Sequence, residues 1–154
     1  MDEAPLSLRR GSPEDFNAAA HLLSSVRRAS YPAIPPSIHD DDVELSPYLG
    51  SLHDNGAELV LAEVGGSLIG VVVAQGSVIV QLAVAQDFQG RGIGKQLVEA
   101  VVEQSPEQVT LWTFQSNARA QGFYRHLGFV EIARTDGDNE EGEPDMCFQS
   151  PLKN

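Results

Sequence analysis

Three glycines fall within five residues, at Gly90, Gly92 and Gly94, with Arg91 and Lys95 interleaved. They stand between an apolar run, Val78–Ala85, and a segment of helical periodicity that opens at Gly92. Glycine at such a junction lets the backbone approach a ligand closely and turn several N–H groups inward. A helix start adds about half a positive charge at the same point. The chemistry this spacing can do is to hold a phosphate or pyrophosphate, with Arg91 and Lys95 as mobile cations. Two familiar phosphate loops do not fit. The Walker pattern needs glycine where Gln89 stands and Ser or Thr where Gln96 stands; the dinucleotide fingerprint needs a third glycine at Lys95 or Leu97. A tight strand-to-helix turn with no ligand is the bland alternative, and three glycines beside two cations argue against it.

Phosphate binding has to be local, because the chain as a whole repels anions. Ten Lys and Arg against 22 Asp and Glu give a formal net charge of −12 over 154 residues. That sign disfavours nucleic-acid and anionic-membrane partners and favours cationic ones such as amines. Salt screens the long-range field within roughly 10 Å, so nearby donors can still prevail. The single cysteine, Cys147, cannot form an internal disulfide and reads as a small buried hydrophobe. Four histidines and one cysteine show no metal-ligand spacing. The opening residues MDEAPLSLRR lack an apolar signal core, and the longest apolar stretches fall well short of the ~20 residues that span a bilayer, so the expectation is a cytoplasmic protein.

The elements that must position the glycine loop follow from periodicity. A first strand is expected around Leu6–Leu8, then a helix started by Ser12-Pro13-Glu14-Asp15 and carried by Phe16, Ala19, Ala20, Leu23 and Val26. The prolines of Tyr31–Pro36 break it, and a short second helix is expected over roughly Asp41–Leu52. Ala57–Val64, Leu68–Gln75 and Val78–Ala85 read as an antiparallel meander turned at Gly65-Gly66 and Gly76-Ser77, apolar enough to be covered on both faces. Gly92–Gln104 is a helix, Gln108–Phe114 a strand, Asn117–Leu127 a helix closed by Gly128, Phe129–Ala133 a strand, and Met146–Leu152 the last strand. Strand, helix and strand over 78–114 imply a parallel pair joined by a right-handed crossover. The expected architecture is one α/β domain over 1–154, a mixed sheet with helices on both faces.

Gln89-Gly-Arg-Gly-Ile-Gly94 resembles the [RQ]-x-x-G-x-[GA] signature of the GNAT superfamily of N-acetyltransferases. Asn117-Ala-Arg-Ala-Gln-Gly-Phe-Tyr124-Arg-His-Leu-Gly-Phe129 is similar to that family's second block. The likeness is close over roughly residues 57–135. It implies a GNAT-like, mostly antiparallel seven-stranded sheet with a splayed parallel pair in the middle, Val78–Ala85 parting from Val109–Phe114. It implies acetyl-CoA as acyl-donor cosubstrate, its pyrophosphate on the backbone of Gln89, Gly90, Arg91, Gly92, Ile93, Gly94 and Lys95. Leu82, Ala83 and Val84 would pair with the pantetheine arm as a pseudo-strand, and the Leu82 N–H would face the thioester oxygen.

Asn117 and Tyr124 lie seven residues apart, almost two turns, so they project from one helix face about 10 Å apart. In this setting Tyr124 is assigned as general acid for the leaving thiolate and Asn117 as a pantetheine contact and cap. On this reading Phe123 and Leu127 turn inward while Tyr124 lines the cleft. No base is assigned: Gln81 cannot serve, and Glu58, Glu63, His39, His53 and His126 are weak candidates. The acidic run Asp136–Asp145 reads as a solvated loop, or, by the resemblance, as the rim of an acceptor pocket where Glu140, Glu141 and Glu143 attract a cationic amine. The expected activity is acetyl transfer from acetyl-CoA to a small-molecule or peptide primary amine in a ternary complex, without nucleic-acid or membrane partners. The resemblance leaves a homodimer open. The competing readings are a non-catalytic acyl-CoA sensor and a nucleotide-binding protein of another fold.

Overall fold

The computed structural model describes residues 5–30, 42–139 and 141–152; the Tyr31–Pro36 helix break, His39 and Glu140 lie outside these. The described strands are β1 (Leu6–Arg10), β2 (Glu58–Val64), β3 (Ser67–Gln75), β4 (Val78–Val84), β5 (Thr110–Phe114), β6 (Val130–Thr135) and β7 (Asp145–Gln149). They form one seven-stranded sheet in the order β1-β2-β3-β4-β5-β7-β6. Every neighbouring pair is antiparallel except β4 and β5. The helices are α1 (Phe16–Ala29), α2 (Asp42–Asp54), α3 (Ile93–Gln104) and α4 (Ala118–His126).

Two apolar clusters sandwich the sheet, as the nearly continuous hydrophobic runs of the meander demand. On one face α1 and α2 bury Ala19, Ala20, Leu23, Leu45 and Leu49 against Leu59, Leu61, Val71 and Val73. On the other, α3 buries Ile93, Leu97, Val98 and Val101, and α4 contributes Tyr124, against Val72, Leu111, Met146 and Phe148. Gly70 lets α3 sit close: a Cβ there would stand 3.1 Å from Leu97 and 3.4 Å from Ile93. Pro47 is accommodated inside α2.

The last strand stops at Gln149, short of the expected Leu152. Pro151 has no N–H to extend the ladder, and Ser150 turns to other use: its hydroxyl accepts from the Val109 N–H at 2.8 Å, and its own N–H donates to the Val109 carbonyl at 2.8 Å. At the other end, Arg9 joins three elements by ion pairs to Asp15 (2.8 Å) and Glu63 (2.7 Å). The Arg9 guanidinium, helped by the Ser12 N–H, holds the Asp15 carboxyl down at about 2.

The sheet is continuous except at its centre. β4 and β5 are in register only at Val78↔Thr110 and Ile79↔Leu111, after which they diverge. The cause is visible in β4. Val73 faces Gln81 and the next residue of β3, Ala74, faces Ile79, so Val80 is an extra, bulged residue. A bulge bends its strand and increases local twist, and it falls where the parallel pairing ends.

Candidate active site

The divergence of β4 from β5 leaves a cleft of about 370 Å³ that passes through the sheet. Leu82 and Ala83 form one wall and Leu111 to Phe114 the other. One mouth opens toward α4, where Asn117, Ala120 and Tyr124 line it; the other opens toward α1 and α2, where Arg27 and Tyr48 do.

The backbone of β4 fixes which groups face the gap. The Ala85 N–H donates to the Ile69 carbonyl at 2.8 Å. Alternation in the antiparallel ladder then turns Ala83 and Gln81 toward β3, and turns the N–H and C=O of Leu82 and Val84 toward the cleft. The Val84 carbonyl is taken by the Gln89 side chain, whose Nε2 donates to it at 2.9 Å. Of the three residues expected to offer backbone to a ligand, Leu82 therefore presents both its groups, Val84 its N–H, and Ala83 neither.

At the end of β4 a short turn, Gln86–Phe88, leads into the glycine loop. Gly90 and Gly92 have φ of +78° and +82°, a left-handed conformation that side chains resist. Neither would meet any atom within 4 Å if given a Cβ, so the added carbon would project into the open space over the loop. Among the described residues the amides of Gly90, Gly92, Ile93, Gly94 and Lys95 donate no hydrogen bond; the first helical bond is Gln96 N–H to the Gly92 carbonyl at 3.1 Å. A row of unspent donors at a helix start is the arrangement that accepts a phosphate oxygen. Gly94 packs instead against α4, where a Cβ would lie 3.2 Å from the Phe123 ring. The Arg91 guanidinium lies over the Phe88 ring at 5.0 Å, and Lys95 reaches Glu99 at 3.9 Å on the exposed face of α3.

Asn117 is the N-cap of α4, its Oδ1 accepting from the Ala120 N–H at 3.1 Å, and it also lines the cleft. Tyr124 corrects one detail of the helix reading: it is the buried residue of α4, 6% exposed, with Phe123 and Leu127 only partly buried beside it. Its ring packs on Phe129 and Phe148, with centroids 5.7 and 6.1 Å away. Its hydroxyl has no hydrogen-bond partner among the described residues. Burial raises the phenol pKa well above its usual 10, because the phenolate would lose its water.

Of the residues weighed as bases, the four described ones, Glu58, Glu63, His53 and His126, are not brought to the cleft. Glu58 pairs with Arg10 at 3.6 Å and Glu63 with Arg9, both on the β1 side of the sheet. His53 packs edge-on against Phe16, and His126 is exposed in the last turn of α4. From the acidic run, Glu141 and Asp145 line the cleft and Glu143 does not. Asp145 is buried and accepts from the Thr135 hydroxyl at 2.5 Å. Arg27, Tyr48 and Trp112 were not singled out by sequence reasoning, because each sits on a different element whose apolar pattern accounts for it as a surface or core residue.

Comparison with known proteins agrees with this geometry. The family model described as Acetyltransferase (GNAT) family matches residues 20–129. A probable N-acetyltransferase of Mycobacterium tuberculosis is 30% identical over 150 residues, covering 88% of this chain and 86% of that protein. A mycothiol acetyltransferase of Acidothermus cellulolyticus is 41% identical over 50 residues; this match takes in 32% of the chain and only 15% of that longer protein. Among solved structures, a putative acetyltransferase of Salmonella typhimurium with its cofactor acetyl-CoA has the same fold, with a TM-score of 0.75 at 14% identity over 98% of this chain and 96% of that one.

Proposed function

The chain belongs to the acetyl-CoA-dependent acetyltransferases of the GNAT family, and on that premise we propose that its single domain moves acetyl from acetyl-CoA to a primary amine that binds in the α1–α2 mouth of the cleft. The observation that carries the proposal is the set of unbonded amides of Gly90, Gly92, Ile93, Gly94 and Lys95 at the start of α3. A strongly acidic protein can hold a polyanionic donor there by backbone dipoles rather than by net charge. Gly90 and Gly92 suit the donor because the space a side chain would fill is left to it.

Bound acetyl-CoA supplies an activated thioester; the protein supplies position and electrostatics. A new N–C bond forms, the C–S bond breaks, and the amine proton ends on the thiol. Leu82 N–H, turned into the gap and unused by β3, donates to the carbonyl oxygen as charge develops there. Tyr124 O–H, aimed into the same cleft without a partner, donates to the sulfur. A phenol held above pH 10 is a weaker acid than a thiol of pKa about 8.5. Complete transfer from Tyr124 is uphill, so its role is a charge-stabilising hydrogen bond to the developing thiolate, which takes up the proton the amine loses. Asn117 orients the entry of α4 and offers its amide to the donor's arm.

The test replaces Tyr124 with Phe, which keeps the ring and its packing. Acetyl-CoA should still raise the melting temperature, while thiol release in the presence of an amine acceptor falls about 10²-fold or more. Undiminished turnover in Tyr124→Phe would remove the tyrosine from the mechanism. Absence of any thermal shift with acetyl-CoA in the unmutated protein would remove the donor site.

A further inference from the structure

We infer that the acceptor carries a carboxylate as well as the amine, that Arg27 binds this carboxylate, and that Gln81 positions Arg27. The inference rests on the proposed transferase reading and names the substrate class of the same cleft. Arg27 is the one cation on the described walls of the cleft, in a chain of formal net charge −12. It is half-buried in the last turn of α1, and its Nη2 donates to the Gln81 Oε1 at 3.3 Å. A guanidinium has five donors in a planar fork that matches a carboxylate.

Gln81 reaches Arg27 because of the bulge. Ile79 and Leu82 both pack toward α3, while Val80 packs on the α1–α2 side. With a regular pleat Gln81 would share the face of Ile79. The extra residue at Val80 instead turns Gln81 toward α1, and the strand irregularity that opens the cleft also sets its cation in place.

The other wall has the opposite charge. Glu141, in the β6–β7 loop, lines the cleft and makes no ion pair among the described residues. Trp112, 50% exposed on β5, lines it too, with a flat apolar surface for the acceptor's stem. One wall that attracts an anion and one that attracts a cation suit an amino carboxylate. A polyamine would meet Arg27 as a like charge, which selects against it.

The experiment measures kcat/KM by thiol release for alanine, leucine and phenylalanine, each with its carboxamide and its decarboxylated amine, and for spermidine. The expected result is that at least one amino acid exceeds its decarboxylated amine by about tenfold or more, the worth of a charge-assisted contact. In Arg27→Met that ratio should fall to within about twofold of one, whereas Arg27→Lys retains part of it and Gln81→Ala lowers it through KM. An acetyl-CoA thermal shift equal to that of the unmutated protein serves as the check on folding. Equal use of decarboxylated amines or spermidine, preference for the carboxamide, or an Arg27→Met variant that slows all acceptors alike would each overturn the inference and leave the transferase standing. No turnover with any amine, despite a thermal shift with acetyl-CoA, overturns the transferase reading and the inference together.

Discussion

The two mouths of the cleft are built from different materials. The mouth toward α3 and α4 is mostly backbone: the amides of Gly90 and of Gly92 to Lys95, and the N–H of Leu82 on a strand edge that β5 has left. The mouth toward α1 and α2 is mostly side chain, with Arg27 from α1, Tyr48 from α2, Trp112 from β5 and Glu141 from a loop. Backbone donors demand a particular local conformation, so they leave a contiguous trace in sequence: glycines at positive φ followed by a helix start. Side-chain donors demand only that four distant segments meet. The first kind of site can be shared by proteins that use one donor, and the second can differ in each.

The largest expected effect that breaks the contrast is at Gly92. Gly92→Val places a β-branched side chain at φ +82°, costing roughly 1–3 kcal/mol of strain, and sends its carbons into the space over the loop. Acetyl-CoA affinity, read by calorimetry, should fall about 10²-fold, the loss expected when one or two amide hydrogen bonds to a charged phosphate go unmade. If affinity survives, the backbone cradle is not the donor site.

A smaller effect sharpens the same contrast. Lys95 is exposed and already near Glu99 on the following turn, so its contribution to holding an anion is that of a screened surface charge. Lys95→Ala should weaken acetyl-CoA by less than about threefold at physiological salt, with the difference vanishing as salt is raised. A tenfold loss would mean that side-chain charge, not the amides, dominates this mouth too.

This contrast also explains what could be read from sequence. The meander was legible because Leu59, Leu61, Val71, Val73 and their neighbours are apolar nearly without a break and end on glycine turns. The glycine loop and α3 were legible because φ above zero and a 3.6-residue period both restrict residue type. The burial of Tyr124 was half legible: Ala120, Phe123, Tyr124 and Leu127 mark one face, but which of them goes deepest depends on Phe129 and Phe148, which arrive later in the chain. The bulge at Val80 left no mark, since neither glycine nor proline is needed for it. With the bulge went the orientation of Gln81, and so the significance of Arg27. Glu58 and Glu63 looked available because nothing local reveals that β1 brings Arg10 and Arg9 beside them.

Two rungs between β4 and β5 have a consequence for the way the molecule breathes. Amide hydrogens in the middle of a sheet are ordinarily the last to exchange with deuterium, since they open only when the whole domain does. Here the Leu82 amide sits in the central strand yet faces a gap, so it should trade its proton on the timescale of an exposed loop while Ala83, one residue along and bonded to β3, holds its own for as long as the fold lasts. The neighbouring amides would then report, by the difference between them, whether anything has come to lie in the seam.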